Sequence, residues 1–100
     1  MKYGDFPIGT YCLKGHIDVP TGRLAKLKEA LTEHINLTRS EAGCLSFDVE
    51  PCAEVEGRFL VSEAFLDEAA FIAHQERTAN SVWAEVSAGI PRIYETWAVP

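Results

Sequence analysis

Apolar and polar residues alternate in four stretches of the chain, which is the pattern of strands with one face in a core. These stretches are residues 10–19, 44–50, 58–66 and 92–99. The third is apolar on both sides, with Phe59, Val61 and Phe65 on one and Leu60, Ala64 and Leu66 on the other. Because one face of an antiparallel sheet usually meets water, this strand predicts a second cover, most simply another copy of the chain.

Two stretches between the strands show helical spacing of apolar residues. The first follows a turn at residues 20–22 and reaches about Thr38, with Leu24, Leu27, Leu31 and Ile35 on its apolar stripe. The second begins at Asp67, a residue type that caps helix N-termini. Its inner face is predicted to carry Ala70, Phe71, His74, Thr78 and Val82. Residues 78–81 are predicted to break it, since Thr, Asn and Ser compete for backbone hydrogen bonds.

The resulting order of strands and helices predicts an α+β, ferredoxin-like β-α-β-β-α-β fold. In that fold a four-stranded antiparallel sheet carries both helices on one face. The chain of 100 residues forms one domain, 1–100, with a loose arm at 1–8 where Gly4 and Pro7 discourage regular structure. Gly15 within the first strand predicts a bulge or a close approach of another segment.

Composition and charge exclude several classes of partner. The net charge of -6 argues against nucleic acid and against an anionic membrane surface, since both attract clustered cations. No stretch approaches the roughly 20 apolar residues that span a bilayer. The absence of a leader sequence and the odd count of 3 cysteines predict a reducing, cytoplasmic setting with free thiols. The spacing of cysteines and histidines predicts no metal site.

Candidate chemistry gathers around the stretch from residue 62 to residue 83. Glu63 lies on the third strand, His74 lies on the inner face of the second helix, and Trp83 follows about two and a half turns later. His34, beside the stripe of the first helix, can line the same space between helices and sheet. We therefore expect an ionisable ring, an aromatic wall and a carboxyl group to share one cavity.

Three short motifs, taken in order, resemble the antibiotic biosynthesis monooxygenase (ABM) domain family. They are Glu41-Ala42-Gly43-Cys44 before the second strand, Glu63-Ala64-Phe65-Leu66-Asp67 at the end of the third, and the run from Ala70 to His74. The resemblance covers residues 10–97. The aromatic residue that often follows the family histidine by nine positions is present as Trp83, whereas the second histidine, five positions later, is replaced by Ala79.

The resemblance implies a dimeric α+β barrel and a homodimer. It also implies an enzyme that oxidises quinols or anthrone-like aromatics with molecular oxygen and needs no flavin, haem or metal. Such chemistry requires a base that deprotonates the substrate, a dry pocket, and a group that holds the anion. The candidate catalytic residues are His74, as the base, and Glu63. The candidate substrate-binding residues are Trp83, His34, Phe47, Phe65 and Phe71 as walls, and Arg39 or Arg92 as the anion-stabilising cation.

Two alternatives to this interpretation stay open at this point. The chain could be a small-molecule-binding or stress-response dimer that kept the fold without the chemistry, in which case neighbouring side chains would fill the space around His74. A haem-cleaving activity is a weaker third reading, since it needs an asparagine and a ligating histidine for which Asn80 is a poor fit.

Overall fold

The computed structural model describes residues 6–100, whose elements follow the predicted order. The strands are β1 (Tyr11–Asp18), β2 (Cys44–Pro51), β3 (Arg58–Phe65) and β4 (Arg92–Ala98). The helices are α1 (Leu24–Arg39), α2 (Glu68–Ala79) and α3 (Val82–Val86), with a 3₁₀ turn at Thr21–Arg23 before α1. Residues 1–5 of the predicted arm at 1–8 lie outside the described residues. No helix within residues 6–100 is long and apolar enough to cross a membrane.

The four strands form one antiparallel sheet in the order β2-β3-β1-β4. The core lies between this sheet and the helices, and it joins Ile17 and Phe59, which are partners across β1 and β3, to Leu27, Leu31 and Trp83 of the helices. Burial of these side chains on one face holds α1 and α3 against the sheet. The predicted α+β, ferredoxin-like fold is confirmed.

Strand β3 has two apolar faces, as its sequence predicts. Phe59, Val61 and Phe65 are buried under the helices, while Leu60 on the opposite face is 47% exposed. Leu60 shares that face with Ile93 of β4, because both are partners of His16 in the register. The sheet therefore carries an apolar patch on the side away from the helices.

Strand β2 differs from its predicted pattern at one residue. Alternation places Leu45 on the same face as Phe47, but Leu45 is 44% exposed. The register pairs Cys44 with Phe65 and Ser46 with Ala64, so a β-bulge leaves Leu45 without a partner. The bulge reverses the face of the strand at this point, which accounts for the difference.

Gly15 confirms the expected close approach. It pairs in register with Tyr94, so the strand carries no bulge there. A Cβ atom at this position would lie 1.9 Å from the carbonyl oxygen of Ile93 and 2.7 Å from the ring of Tyr94. Only glycine leaves room for β4 to approach β1 this closely.

Candidate functional site

His74 is held in the interior by its place on α2. The helix begins as predicted at Asp67, whose carboxylate accepts a hydrogen bond of 2.8 Å from the backbone N–H of Ala70. Ala70 and His74 are one helical turn apart and point the same way. The His74 side chain is only 2% exposed, so the imidazole is shielded from bulk water.

The connection between α1 and β2 lies directly against this face of α2. A Cβ atom on Gly43 would lie 2.5 Å from the Cβ of Ala70, so the absence of a side chain lets the two segments touch. The backbone N–H of Leu66 also donates to the carbonyl of Gly43 at 2.8 Å. This contact brings Glu41 beside His74, so the two motifs at 41–44 and 70–74 meet in space.

Glu41 joins two side chains of α2. His74 Nδ1 lies 3.1 and 3.2 Å from the two carboxylate oxygens of Glu41, and Arg77 Nε donates to the same carboxylate. Arg77 also donates from Nη2 to the hydroxyl of Thr38, which is fully buried in α1. Because a carboxylate only accepts hydrogen bonds, His74 carries its proton on Nδ1 and presents a lone pair on Nε2.

Aromatic rings pack around the imidazole of His74. The ring of His34 stacks on Trp83 with centroids 4.9 Å apart and planes within 5° of parallel. Phe47 meets His34 edge-on at 5.3 Å, and Phe65 lies 4.8 Å from the His74 ring. The structure thus brings His34, Phe47 and Phe65 within 5.9 Å of the His74 ring, and Trp83 joins them through its stack on His34. The surrounding wall is apolar and aromatic.

Glu63 closes the cluster from the sheet. It is 7% exposed, and its Oε1 lies 3.9 Å from Nε2 of His74 without a hydrogen-bond partner among the described residues. Burial, and secondly the charge of Glu41, raise the pKa of Glu63 to about 8. Burial lowers the pKa of His74, although its hydrogen bond to Glu41 acts in the opposite direction. Both environments favour the neutral form.

His34 is a second buried imidazole in the cluster. It is 5% exposed, and its Nδ1 has no hydrogen-bond partner among the described residues. Burial, followed by the nearby His74 and Arg77, lowers the pKa of His34 to about 3. The ring is therefore neutral throughout the physiological range and can serve as a polar wall or a weak hydrogen-bonding group.

Three predicted residues lie apart from this cluster. Phe71 packs on Tyr11 at 4.9 Å and on Phe65 at 5.7 Å, behind the first wall. Arg39 donates through Nε and Nη2 to the backbone carbonyl of Phe47. Arg92 donates to the backbone carbonyls of residues 87 and 90 at the end of α3. Both guanidinium groups are bound to backbone oxygens, so neither reaches the Nε2 side of His74.

Two residues of the site, Glu41 and Arg77, were not identified as site residues from the sequence. Arg77 follows His74 by three positions and so lies on the same side of the helix, which is a usable signal. Glu41 opens one of the quoted family motifs, but only the contact between Gly43 and Ala70 reveals its partner. A surface pocket of about 250 Å³ lies against Glu41, Ala70, Arg77 and the edge of His74.

Replacing Gly43 with alanine should lower the free energy of unfolding by about 1–3 kcal/mol, because its Cβ would force α2 away from Glu41. Gly22→Ala is the matched control, since a Cβ there meets nothing within 4 Å. Urea denaturation of both variants and the wild type measures the difference. Equal stability of the two variants would contradict the close contact.

The pH dependence of stability should report Glu63. Its pKa is about 8 in the folded chain against an ordinary 4.5, so the folded state keeps a proton that the unfolded state loses between these values. The contribution of Glu63 to stability should therefore fall as pH rises from about 4.5 to about 8, whereas His34, whose pKa burial lowers to about 3, contributes in the opposite direction below about 6.5. Glu63→Gln should remove this decline, whereas Glu33→Gln, on the exposed side of α1, should retain it. Urea denaturation across this pH range checks both, and parallel curves for the wild type and Glu63→Gln would contradict it.

Comparison with known proteins identifies the family of the chain. A family model described as antibiotic biosynthesis monooxygenase matches residues 10–86. A search of curated proteins finds no match. The structure resembles a candidate antibiotic biosynthesis monooxygenase from Nitrosomonas europaea, with a TM-score of 0.80, 24% identity, and coverage of 93% of this chain and 92% of that one.

Other solved structures share the fold at lower identity. A candidate antibiotic biosynthesis monooxygenase from Caulobacter crescentus has a TM-score of 0.76 and 17% identity, covering 93% of this chain and 92% of its own. A Bacteroides thetaiotaomicron protein of unknown function, described as a possible oxidoreductase, has a TM-score of 0.72 and 16% identity. It is matched over 92% of this chain and 99% of its own. At these identities the likeness shows a common fold.

Proposed function

Because the chain belongs to the antibiotic biosynthesis monooxygenase family, we propose that it is a cofactor-independent monooxygenase that oxidises a quinol- or anthrone-like aromatic with molecular oxygen. The observation that carries the proposal is the hydrogen-bonded pair of Glu41 and His74. It leaves Nε2 of His74 as a proton acceptor in an interior that contains the rings of Phe47 and Phe65. A buried base with an oriented ring is what deprotonation of a weakly acidic aromatic requires.

His74 is the base of the proposed reaction. Its Nε2 removes a proton from a phenol or an activated C–H group, and the resulting anion is electron-rich enough to reduce oxygen by one electron. Glu41 fixes the tautomer through Nδ1 and stabilises the imidazolium ion that forms, as a carboxylate does in a catalytic triad. Burial of His74 by itself lowers its pKa, and the hydrogen bond and charge of Glu41 act in the opposite direction, in favour of the imidazolium.

The substrate supplies all the electrons that the reaction consumes. In an anthrone a CH₂ group becomes a carbonyl group, one oxygen atom enters the product, and the other leaves as water. Trp83, His34, Phe47 and Phe65 form the proposed aromatic wall for the substrate ring, with Phe71 supporting them from behind. Arg39 and Arg92 are left out of this proposed site, since their guanidinium groups bind backbone carbonyls.

We also propose that the protein is a cytoplasmic homodimer. The apolar patch on the outer face of the sheet, which includes Leu60 and Ile93, supports association with a second copy. Leu60→Glu places a charge in the middle of this patch and should convert the dimer to a monomer. Sedimentation velocity measures the change, and an unaltered sedimentation coefficient would contradict this interface.

The alternative is a dimer that binds a small molecule without chemistry. The packing around His74 favours it, because the rings of His34, Phe47 and Phe65 all have centroids within 5.9 Å of the imidazole. Entry of a substrate ring requires some of these side chains to move. The two functions differ in one measurable respect, which is oxygen consumption.

The test is oxygen uptake by purified protein with a panel of anthrones and quinols, corrected for autoxidation. Uptake above the blank, with one atom of ¹⁸O₂ in the product and one in water, is the expected result. It should be lost in His74→Ala and kept in Glu33→Gln. No uptake with any substrate, together with saturable binding of one of them, would favour the binding protein.

A further inference from the structure

The proposed oxygenation needs a proton donor for reduced oxygen, and this role is open in the structure. The sequence predicts only a cation that stabilises the substrate anion, Arg39 or Arg92. Arg39 instead donates to the carbonyl of Phe47, and Arg92 donates to the carbonyl of Ser87. The anion formed beside His74 must therefore be met by another group.

The position of Glu63 meets this need. Its carboxyl lies on the helix-facing side of β3, it is only 7% exposed, and its Oε1 has no hydrogen-bond partner among residues 6–100. Oε1 and Nε2 of His74 are 3.9 Å apart. Since hydrogen bonds to oxygen span about 2.8 Å, one oxygen atom can lie within reach of both groups at once.

We propose that Glu63 is the general acid of this site and protonates the distal oxygen of the peroxide formed on the substrate, while His74 acts as the base. The assignment rests on the proposed function. In this assignment Glu63 first donates a proton and His74 first accepts one, and the different surroundings of the two residues support these roles.

The surroundings of the two groups favour a neutral acid beside a neutral base. Burial raises the pKa of Glu63 to about 8 and lowers that of His74, so near pH 7 Glu63 holds a proton and Nε2 does not. The pair thus starts each cycle with the proton on the donor and the lone pair on the acceptor. Both side chains are therefore uncharged when the proposed reaction begins.

Other titratable groups surround the pair of Glu63 and His74. Glu41 of the connection after α1, Cys44 of β2 and Tyr94 of β4 interact electrostatically with Glu63. His34 of α1 and Arg77 of α2 interact with each other and with His74. Burial moves the pKa of His34 to about 3, of Cys44 to about 11 and of Tyr94 to about 12, so these three are neutral near pH 7. The charged groups are Glu41 and Arg77, and these two pair with each other.

The proton and electron balance closes within the site. The first proton passes from the substrate carbon to Nε2 of His74, and the carbanion's electron pair goes to oxygen in two one-electron steps that form the C–O bond. The distal oxygen takes the proton of Glu63. The Glu63 carboxylate then removes the second proton from the same carbon as the O–O bond breaks. The departing hydroxide takes the proton from His74, which leaves a carbonyl group, water and both residues as they began.

Anthrone separates the two half-reactions. Without oxygen, His74 alone should catalyse exchange of the anthrone CH₂ protons with D₂O, measured by NMR above the uncatalysed rate. With oxygen, product formation needs Glu63 as well. Glu63→Gln should therefore retain the anaerobic exchange and lose about 10²-fold or more in oxygenation, His74→Ala should lose both, and Glu33→Gln neither.

Several outcomes would overturn the assignment. A folded Glu63→Gln protein that loses exchange and oxygenation equally shows that Glu63 acts in proton abstraction and not as the acid of the later step. A variant that oxygenates like the wild type also shows that Glu63 is not the acid. A wild type that neither exchanges nor oxygenates any panel substrate contradicts the proposed function itself. A measurement on the free protein is independent of substrate: the ¹³C carboxyl signal of Glu63 should titrate near pH 8, and an ionised carboxyl at pH 6 would overturn the role of acid.

Discussion

Replacing His74 with alanine should reduce kcat for oxygen uptake by about 10²- to 10⁴-fold, the usual contribution of a positioned general base. The imidazole lies among the aromatic rings, and its Nδ1 is bound to Glu41, so Nε2 is the nitrogen that can accept a proton. The substrate ring keeps most of its contacts in the variant, so KM should change much less than kcat. Oxygen-electrode kinetics with the best substrate of the panel give both parameters.

The control for this variant lies one residue away. Gln75 follows His74 on α2 but is exposed to solvent, so Gln75→Ala should retain the wild-type kcat. Circular dichroism should show that both variants are folded. A folded His74→Ala protein with wild-type kcat would remove His74 as the base while leaving the activity itself in place.

Replacing Phe65 with alanine should lower the free energy of unfolding by about 3–5 kcal/mol. The Phe65 side chain is 0% exposed and touches the rings of Phe71 and His74, so alanine leaves a cavity in the middle of the domain. Since a domain of this size is stabilised by roughly 5–15 kcal/mol, this is a large share of the total. Thermal unfolding should shift down by about 20 °C.

Ile72→Ala is the matched comparison for this loss. Ile72 is a large apolar residue of α2 that is 50% exposed, so its truncation leaves no enclosed cavity and should change stability by about 0.5 kcal/mol or less. Urea denaturation under conditions that keep the oligomeric state fixed compares the two. A similar loss in both variants would show that Phe65 is not a special packing centre.

Local rules were sufficient to predict the framework of the domain. Alternation found all four strands, and the capping preference of aspartate placed the start of α2 at Asp67, where the structure shows the bond to Ala70. The break after residue 78 was also predictable, because Asn80 follows the last residue of α2 and Ser81 caps α3. Each of these features depends on residues that are neighbours in the chain.

Features that depend on distant residues were not predictable in the same way. Leu45 leaves the core because β2 and β3 are out of step at one position, which is a property of the strand pair. Val82 is 54% exposed, although helical spacing from Ala70 places it inside. The break at Asn80 and Ser81 resets the helical phase, and Trp83 takes the buried position instead.

The arginine side chains show the same limit most clearly. Four cations, Arg39, Arg77, Arg92 and Arg58, have long side chains whose partners depend on which segments meet in space. Arg77 reaches Glu41 because Gly43 and Ala70 touch, and Arg58 pairs with Asp18 across the sheet. The sequence narrowed the base to His74 and the wall to its aromatic residues, but only the fold decides which carboxylate orients the imidazole.

The break between α2 and α3 places His74 and Trp83 on two separate helices. His74 lies on a helix of 12 residues, and Glu41 binds it from the connection after α1. Trp83 lies on a helix of 5 residues, which is too short to be stable without packing. A shift of this short helix would change the position of Trp83 in the proposed substrate wall and leave the contact between Glu41 and His74 unchanged. Substitutions in residues 80–90 should therefore change the range of substrates without removing the proposed base.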